Sequence, residues 1–371
     1  MLARRIGLGV GAWVVAATAL VVFVTRPEHC PTVTAASAGD AAAAAARWYD
    51  TNQRDDGSWM YRYNRATKTD LGNYHYTRHS GVLLALYLFG DIPTADRGTG
   101  FALRRLHPEL GGAAFGDGRS LDSGASALLV TALGQRRLDT GDPKYDKDLT
   151  DLGRFLVGMV GPDGKVFANW IPATQSATGT LSFSTGELWF ALSRLERLFP
   201  DSGWREPAER VGRYIMQHRD DAENIFPPTS DHWGAYALDE MQHWATPPSA
   251  DLTAMTDAYA TRLAGIFGVQ VRFESQRTNQ GVSLLLRGHQ ALPSGLGTLG
   301  EGLGALARYE TARGRPGEAV AIRDRMQCAV GMLVARQDSS DDPHANGAWF
   351  DSNITQMDYQ QHALETLVAY G

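Results

Sequence analysis

The sequence predicts an all-α fold: an (α/α)6 toroid of six helical hairpins preceded by one N-terminal transmembrane helix. Three observations predict it. Six segments repeat one plan, in which small and polar residues precede a run rich in Ala and Leu. One further helical run lies between consecutive members, so that helices of two kinds alternate at irregular spacings of roughly 40 to 70 residues. An uncharged run near the N-terminus predicts the membrane helix.

The clearest of the six segments covers residues 184–199. Its apolar residues recur at positions i, i+4, i+7 and i+11 from Leu188, which places one apolar stripe on a helix. Ser184 and Glu187 have the spacing of a capping box. The apolar runs of the other five segments are 82–89, 125–133, 234–241, 302–309 and 363–370. We expect these six segments to form the inner helices of a ring.

The intervening runs are the predicted outer helices. They cover residues 35–52, 100–110, 145–160, 204–218, 252–267 and 316–337. A linear solenoid is the competing architecture. Solenoid periods are more regular, and their terminal repeats carry a polar capping face that this sequence does not show. The alternation therefore favours a closed ring with an inner and an outer layer.

The N-terminus predicts export. Arg4 and Arg5 precede the uncharged residues 6–24, a run long enough to cross a bilayer, since roughly 20 residues span the hydrocarbon core. The two arginines predict that the N-terminus stays in the cytoplasm. The predicted domains are a cytoplasmic stub and signal anchor (1–26), a tether (27–40) and an extracytoplasmic toroid domain (41–371) of a single-pass cell-membrane protein. Cleavage as a signal peptide is the alternative, because residues 36–38 resemble a processing site.

Composition narrows the classes of function. A net charge of −6 without a basic run argues against nucleic acid as a partner. Two cysteines cannot build a Cys-rich zinc site, and no His-Glu-x-x-His spacing occurs, so the sequence predicts no metal and no cofactor. We expect Cys328 to be a buried apolar residue and Cys30 to be free or to join two chains, although a pair within one exported chain stays open.

One string resembles a known motif. Gln53 is followed by Asp56, Gly57, Ser58 and Trp59, which resembles the QW motif of terpene cyclases. A looser echo near the C-terminus joins Gln337 to an Asn-Gly-Ala-Trp string at 346–349. The chain is therefore similar to α/α-toroid (six-hairpin) proteins of the terpene cyclase, prenyltransferase and glycosidase types, with no specific family identified. The resemblance implies a structural brace, in which Gln holds helix ends and Trp stacks on the turn.

The ring geometry predicts where chemistry lies. All inner helices run the same way, so their N-termini gather at one rim of a central funnel. The candidate catalytic residues there are Glu187, Asp231, Glu301 and Asp358. The candidate substrate-binding residues are Trp59, Tyr74, Tyr76, Arg78, His79, Asp122, Trp170, His232, Trp233, Trp349, Gln361 and His362.

Carboxylates and imidazoles above aromatic rings are typical of a sugar-binding site. Glycoside hydrolysis needs two carboxyl groups roughly 5 to 10 Å apart, one protonated and one ionised. Crowding of like charges would raise one pKa, as an acid catalyst requires. The sequence thus predicts a membrane-anchored, extracytoplasmic, carbohydrate-active enzyme of the glycoside hydrolase, lyase or epimerase class, whose partner is a poly- or oligosaccharide of the cell envelope.

Three alternatives remain open. The acids could simply cap their helices, because Glu187 and Glu301 both have capping-box spacing. The funnel could bind a glycan or peptide without turnover. An isoprenoid cyclase is disfavoured, because the Asp-x-Asp-Asp motif of class II cyclases is missing. The zinc set of protein prenyltransferases also cannot form if Cys328 lies in an outer helix.

Overall fold

The computed structural model describes residues 2–24, 26–180, 182–223, 225, 230–278 and 281–371 of the chain. These residues form the α-helices α1 (Leu2–Val24), α2 (Ala35–Thr51), α3 (Tyr76–Phe89), α4 (Ile92–Leu103), α5 (Ser123–Thr140), α6 (Asp146–Gly158), α7 (Ser182–Leu198), α8 (Arg205–Gln217), α9 (Arg219–Ala222), α10 (His232–Met241), α11 (Ala250–Ser275), α12 (Gly281–Arg287), α13 (Pro293–Ala312), α14 (Pro316–Val334) and α15 (Met357–Tyr370).

Six helices form a closed inner ring. Helix α3 packs on α5, α5 on α7, α7 on α10, α10 on α13 and α13 on α15, and α15 returns to pack on α3. An outer layer of α2, α4, α6, α8, α11 and α14 packs against this ring. The return contact between α15 and α3 excludes the linear solenoid. The predicted (α/α)6 toroid is therefore confirmed for the described residues.

The inner helices are buried nearly all round, and this explains their composition. In α3 every residue from His79 to Tyr87 is buried. A helix with neighbours on every side needs no polar face, so apolar and small residues fill it without an amphipathic period. The outer helices face solvent on one side and alternate accordingly, as in α8, where Pro207, Ala208 and Val211 are buried and the residues at 206, 209 and 210 are exposed or half-buried.

The QW-like string acts as the brace that the resemblance implied. The Gln53 side-chain amide donates to the Thr94 carbonyl at 3.0 Å, which fixes the end of α2 to the start of α4. Trp59 is fully buried and its ring N–H donates to the Tyr49 carbonyl. Gly57 has a φ of 87°, and a Cβ there would lie 2.3 Å from the Arg97 carbonyl oxygen. Only glycine permits this turn to pack so closely on the next outer helix.

The C-terminal echo repeats the same contacts. The Gln337 amide donates to the Ala41 carbonyl at 2.8 Å and to the Gly347 carbonyl at 2.9 Å. Trp349 is fully buried and donates to the Leu333 carbonyl. This second brace joins the last outer helix, α14, to the first, α2. It therefore helps to close the outer layer.

Short strands lie in the loops that lead into the inner helices. They are β1 (Arg62–Asn64), β2 (Thr69–Asp70), β3 (Leu106–Glu109), β4 (Gly112–Phe115), β5 (Leu121–Asp122), β6 (Asn169–Ile171), β7 (Ser176–Thr178) and β8 (Ile354–Gln356). Strand β1 pairs antiparallel with β8, with Tyr63 opposite Thr355. Because β8 directly precedes α15, this sheet ties the beginning of the ring to its end.

The cysteines form a disulfide bond, contrary to the expectation that Cys30 is free or joins two chains. Cys30 and Cys328 are bonded across a sequence separation of 298 residues. Cys328 lies on α14, as predicted, and ring closure brings the N-terminal segment against that helix. A disulfide that closes so long a loop contributes about 2 to 5 kcal/mol to stability.

Two predictions about element bounds and membrane insertion are corrected. The outer helix predicted over 252–267 is longer, because α11 continues through residues 268–273 to Ser275. Among the described residues, no helix is both long and apolar enough to cross a membrane. This finding contradicts the predicted single-pass anchor and the location derived from it.

Candidate functional site

A cavity of about 860 Å³ opens where the inner helices begin. Residues at or near the start of all six inner helices line it: Arg78 (α3), Asp122 (before α5), Glu187 (α7), His232 and Trp233 (α10), Thr298 (α13), and Asp358, Gln361 and His362 (α15). The inner helices run in one direction, so residues far apart in sequence face one another here. This is the shared opening that the ring geometry predicts.

Glu187 and Asp122 form a close carboxyl pair in the cavity wall. A Cβ built on Gly124 would lie 2.1 Å from Glu187 Oε2 and 3.2 Å from Asp122 Oδ1. The two oxygens therefore cannot be farther apart than the sum of these distances, about 5.3 Å. Burial, with the charges of Asp122 and Asp231, raises the pKa of Glu187 well above its ordinary value. The pair thus joins a protonated acid to a second carboxyl group.

Hydrogen bonds hold Asp122 in place. Its Oδ1 accepts the Gly124 backbone N–H at 2.8 Å, which caps α5. Its Oδ2 accepts the Thr77 hydroxyl at 2.7 Å. Both donors come from inner-helix starts, so the carboxylate is fixed while it still lines the cavity.

The raised pKa of Glu187 predicts a pH-dependent stability difference. A buried carboxyl with a raised folded-state pKa contributes its full stability below the unfolded pKa, near 4.5, and that stability is lost as pH rises through the folded value. We expect the stability of Glu187→Gln, which cannot ionise, to increase relative to that of wild type as pH rises above about 4.5. Urea unfolding at each pH measures the difference.

The exposed Glu318 provides the matched control. Glu318→Gln is expected to follow wild type across the same pH range, because water solvates an exposed carboxylate equally well in folded and unfolded chains. A stability difference between Glu187→Gln and wild type that did not change with pH would contradict the burial of an uncharged Glu187.

Asp231, a candidate catalytic residue, lies behind the wall and has structural partners. Its Oδ2 accepts from Arg219 at 2.5 Å and from the Tyr259 hydroxyl at 3.1 Å. Its Oδ1 accepts the Gly234 backbone N–H at 2.8 Å and so caps α10. Both Asp231 and Arg219 are buried. The structure therefore places this aspartate in a buried ion pair rather than among the cavity-lining residues.

Asp358 and Arg78 meet on the wall opposite Glu187's helix. Arg78 Nε lies 3.5 Å from Asp358 Oδ1, and both residues line the cavity. The guanidinium also contacts the ring and hydroxyl of Tyr61. A ligand carboxylate or hydroxyl in the cavity would find a cationic partner here.

His232, Glu301 and His362 form a second cluster. His362 Nδ1 lies 2.8 Å from Glu301 Oε1, and His232 Nε2 lies 3.8 Å from Glu301 Oε2. Burial lowers the pKa of His232 well below 6.5, aided by His362, and burial also lowers the pKa of His362. Burial raises the pKa of Glu301 well above its ordinary value. Both histidines line the cavity, whereas Glu301 lies behind them.

The capping alternative is excluded for two of the acids. Helix α7 begins at Ser182 and α13 at Pro293, so Glu187 and Glu301 both lie inside helices rather than at the third position after a cap. Thr298, the expected cap of α13, donates instead to the Gly295 carbonyl within the helix. The spacing of the residues around each glutamate matches a capping box, but each helix begins before the residue that would be the cap.

Several predicted binding residues lie outside the cavity lining and serve the fold. Trp59, His79 and Trp349 are fully buried. His79 contacts the Tyr74 hydroxyl and the Gly98 carbonyl, and burial lowers its pKa to about 3. Tyr76 packs edge-on against Phe115. Trp170 donates to Glu109 on β3.

The sequence did not indicate one wall of the cavity. Gln270, Phe273 and Glu274 on α11 line it, together with Arg277 and Ala291 beyond that helix. They were missed because the predicted outer helix ends at residue 267. The run of 26 residues without a strong helix breaker in α11 was the available signal.

Comparisons with solved structures agree with this architecture. The glycoside hydrolase family 76 mannosidase of Bacteroides thetaiotaomicron matches with a TM-score of 0.60 and 11% identity, over 89% of this chain and 97% of the other. An unsaturated glucuronyl hydrolase specific for heparin matches with a TM-score of 0.59 and 11% identity, over 91% and 97%.

A third solved structure with a similar fold is that of a terpene cyclase. The type II terpene cyclase MstE of Scytonema matches with a TM-score of 0.56 and 12% identity, over 90% of this chain and 98% of the other. This chain has the α/α-toroid fold. No protein-family model and no curated protein sequence matches it. At these identities the likeness shows the fold alone, so function must be argued from the cavity.

Proposed function

We propose that this α/α toroid is a carbohydrate-active enzyme of the glycoside hydrolase class, with Glu187 as the general acid. The observation that carries the proposal is the carboxyl pair: Glu187 is buried with a raised pKa, and Asp122 lies within about 5.3 Å of it. A protonated carboxyl with a second carboxyl this close suits glycoside hydrolysis. Glycosidases among the structural neighbours show that this fold can house such chemistry.

In the proposed reaction, Glu187 donates its proton to the glycosidic oxygen as that bond breaks. Asp122 attacks the anomeric carbon and forms a covalent glycosyl intermediate. Water then attacks the same carbon, Glu187 takes the water's proton, and the bond to Asp122 breaks. Carboxyl oxygens no more than about 5.3 Å apart leave no room for a water between the second carboxyl group and the sugar, so this geometry favours retention of configuration.

The cavity supports a polar substrate. Arg78, Asp358 and Gln361 offer donors and acceptors from two neighbouring inner helices, and Trp233 offers an aromatic face. Sugar hydroxyls pair with such groups, while the apolar face of a pyranose ring packs on an aromatic ring. An isoprenoid would offer these polar groups no hydrogen bonds.

The test is a glycan panel with product detection by mass spectrometry. It contains α-mannooligosaccharides, unsaturated glucuronides and cell-envelope polysaccharides. We expect at least one member to be cleaved, and proton NMR of the first product to show the anomeric configuration of the substrate. An inverted product would contradict Asp122 as nucleophile. Saturable binding of a glycan without any product would replace the enzyme by a glycan-binding module.

A further inference from the structure

Three inner helices bring an unpredicted set of ligand atoms together beside the carboxyl pair. His232 comes from α10, Glu301 from α13 and His362 from α15. One nitrogen or oxygen from each residue lies within 4.8 Å of the others. No short sequence motif could reveal this set, because each residue lies on a different helix.

The polar atoms of this set are buried and incompletely paired. His232 is 3% exposed and Glu301 is 0% exposed. Glu301 Oε1 has a partner in His362, but Glu301 Oε2 and His232 Nε2 have no hydrogen-bond partner among the described residues, although they lie only 3.8 Å apart. A buried polar atom without a partner costs about 1 to 3 kcal/mol. A ligand between these two atoms would pair both.

We propose that His232, Glu301 and His362 bind one divalent transition-metal ion of the Zn²⁺ type. Two imidazoles and one carboxylate form a donor set that zinc uses, at metal–ligand distances of about 2.0 to 2.2 Å. The observed separations of 2.8 and 3.8 Å need only small side-chain adjustments to place an ion between the three groups. Imidazole ligands disfavour Ca²⁺ and Mg²⁺, which prefer oxygen.

The position of the set leaves one side of the ion open. His232 and His362 both line the 860 Å³ cavity, whereas Glu301 lies behind them. Three protein ligands with a fourth position open to a cavity are typical of catalytic rather than structural zinc sites. The open position would accept a hydroxyl or carboxylate oxygen of the molecule that occupies the cavity.

Neighbouring side chains hold the histidines in place. The Trp233 ring lies 4.3 Å from the His232 ring and 6.1 Å from the His362 ring, between centroids. Behind them, Tyr236 and Gln361 both donate to Glu365. Packing of this kind limits the rotation of metal-binding side chains and raises metal affinity.

The proposal is tested by metal binding in the absence of substrate. Full-length protein freed of metal with a chelator is titrated with Zn²⁺, and with Co²⁺ to follow its visible absorption. We expect one ion per chain and a rise in melting temperature on binding. His232→Ala and Glu301→Gln, made separately, should each weaken Zn²⁺ binding by more than the roughly 10- to 100-fold typical of a lost supporting residue.

Two further variants separate the possible outcomes. His243→Ala removes an exposed histidine from the turn that follows the same helix, α10, and should leave Zn²⁺ affinity unchanged. Glu187→Gln should keep full metal binding, so the metal site and the proposed hydrolase activity can fail independently. The proposal would be overturned if wild type bound Zn²⁺ no more tightly than folded His232→Ala and folded Glu301→Gln. It would also be overturned if His243→Ala lost as much Zn²⁺ affinity as those two variants.

Discussion

Glu187→Gln is expected to lower kcat/KM on the cleaved glycan by about 10²- to 10⁴-fold, because general acid catalysis contributes about that much. The amide keeps the shape of the side chain but cannot give up a proton to a leaving group. KM should change little, since the substitution removes an interaction of the transition state rather than of the bound substrate. Steady-state kinetics on the substrate found in the panel provide the measurement.

The control for this experiment is Glu318→Gln, which changes an exposed glutamate of α14 and should retain wild-type rates. For the wild-type enzyme we expect kcat/KM to fall with rising pH as Glu187 loses its proton, at a pH above the ordinary range of glutamate because burial raises its pKa. Turnover by Glu187→Gln at the wild-type rate would remove Glu187 from the reaction.

Arg219→Met should destabilise the protein by about 3 to 5 kcal/mol, because it leaves the Asp231 carboxylate buried without its partner. The two residues are 2% and 3% exposed, and their charged atoms lie 2.5 Å apart. Adding Asp231→Asn to Arg219→Met should recover part of this loss by removing the unpaired charge. Guanidinium unfolding of the two single variants and the double variant gives the coupling energy.

The ion pair between Arg213 and Asp251 supplies the comparison. It has a similar separation of 2.7 Å, but the Asp251 side chain is 73% exposed. Arg213→Met should therefore cost no more than about 1 kcal/mol. If Arg219→Met lost as little stability as Arg213→Met, the ion pair with Arg219 would not be what holds Asp231. There would then be no reason to assign Asp231 to the fold rather than to catalysis.

The ring itself could be predicted because each hairpin carries its own local signals. Turn glycines such as Gly57 mark where an outer helix ends, and polar residues mark where an inner helix begins. The inner helices were recognisable by their Ala- and Leu-rich composition, which follows from burial on every side. Short strands such as β1 and β8 left no such trace, because two to four residues cannot establish an alternating pattern.

The site could be predicted only as a region. Helix direction places Glu187, Asp122 and His362 at one opening, but the distances between them depend on how the helices pack. The spacing of Ser184 and Glu187 suggested a cap, because a capping box cannot be distinguished from the same residues one turn inside a helix. Asp231 looked equally suitable for catalysis until its partner Arg219, twelve residues earlier in the chain, was placed beside it.

The disulfide could be predicted even less well than the site, because its two cysteines meet only when the ring closes. Cys30 lies in a segment without regular structure, and nothing near it in sequence specifies Cys328 as its partner. The two meet because the last outer helix lies next to the first, where Gln337 also reaches Ala41. A contact across the whole chain is therefore a product of the fold and not of any local pattern.

The same bond changes the topology of the molecule. Between Cys30 and Cys328 the backbone and the disulfide together form one covalent circle that runs once around the toroid. Hydrolysis of a single peptide bond within this circle gives two fragments that stay joined through the disulfide, so it does not divide the protein. Two cuts, or one cut and a reductant, are needed before a helical hairpin that lies wholly between Cys30 and Cys328 can leave the ring.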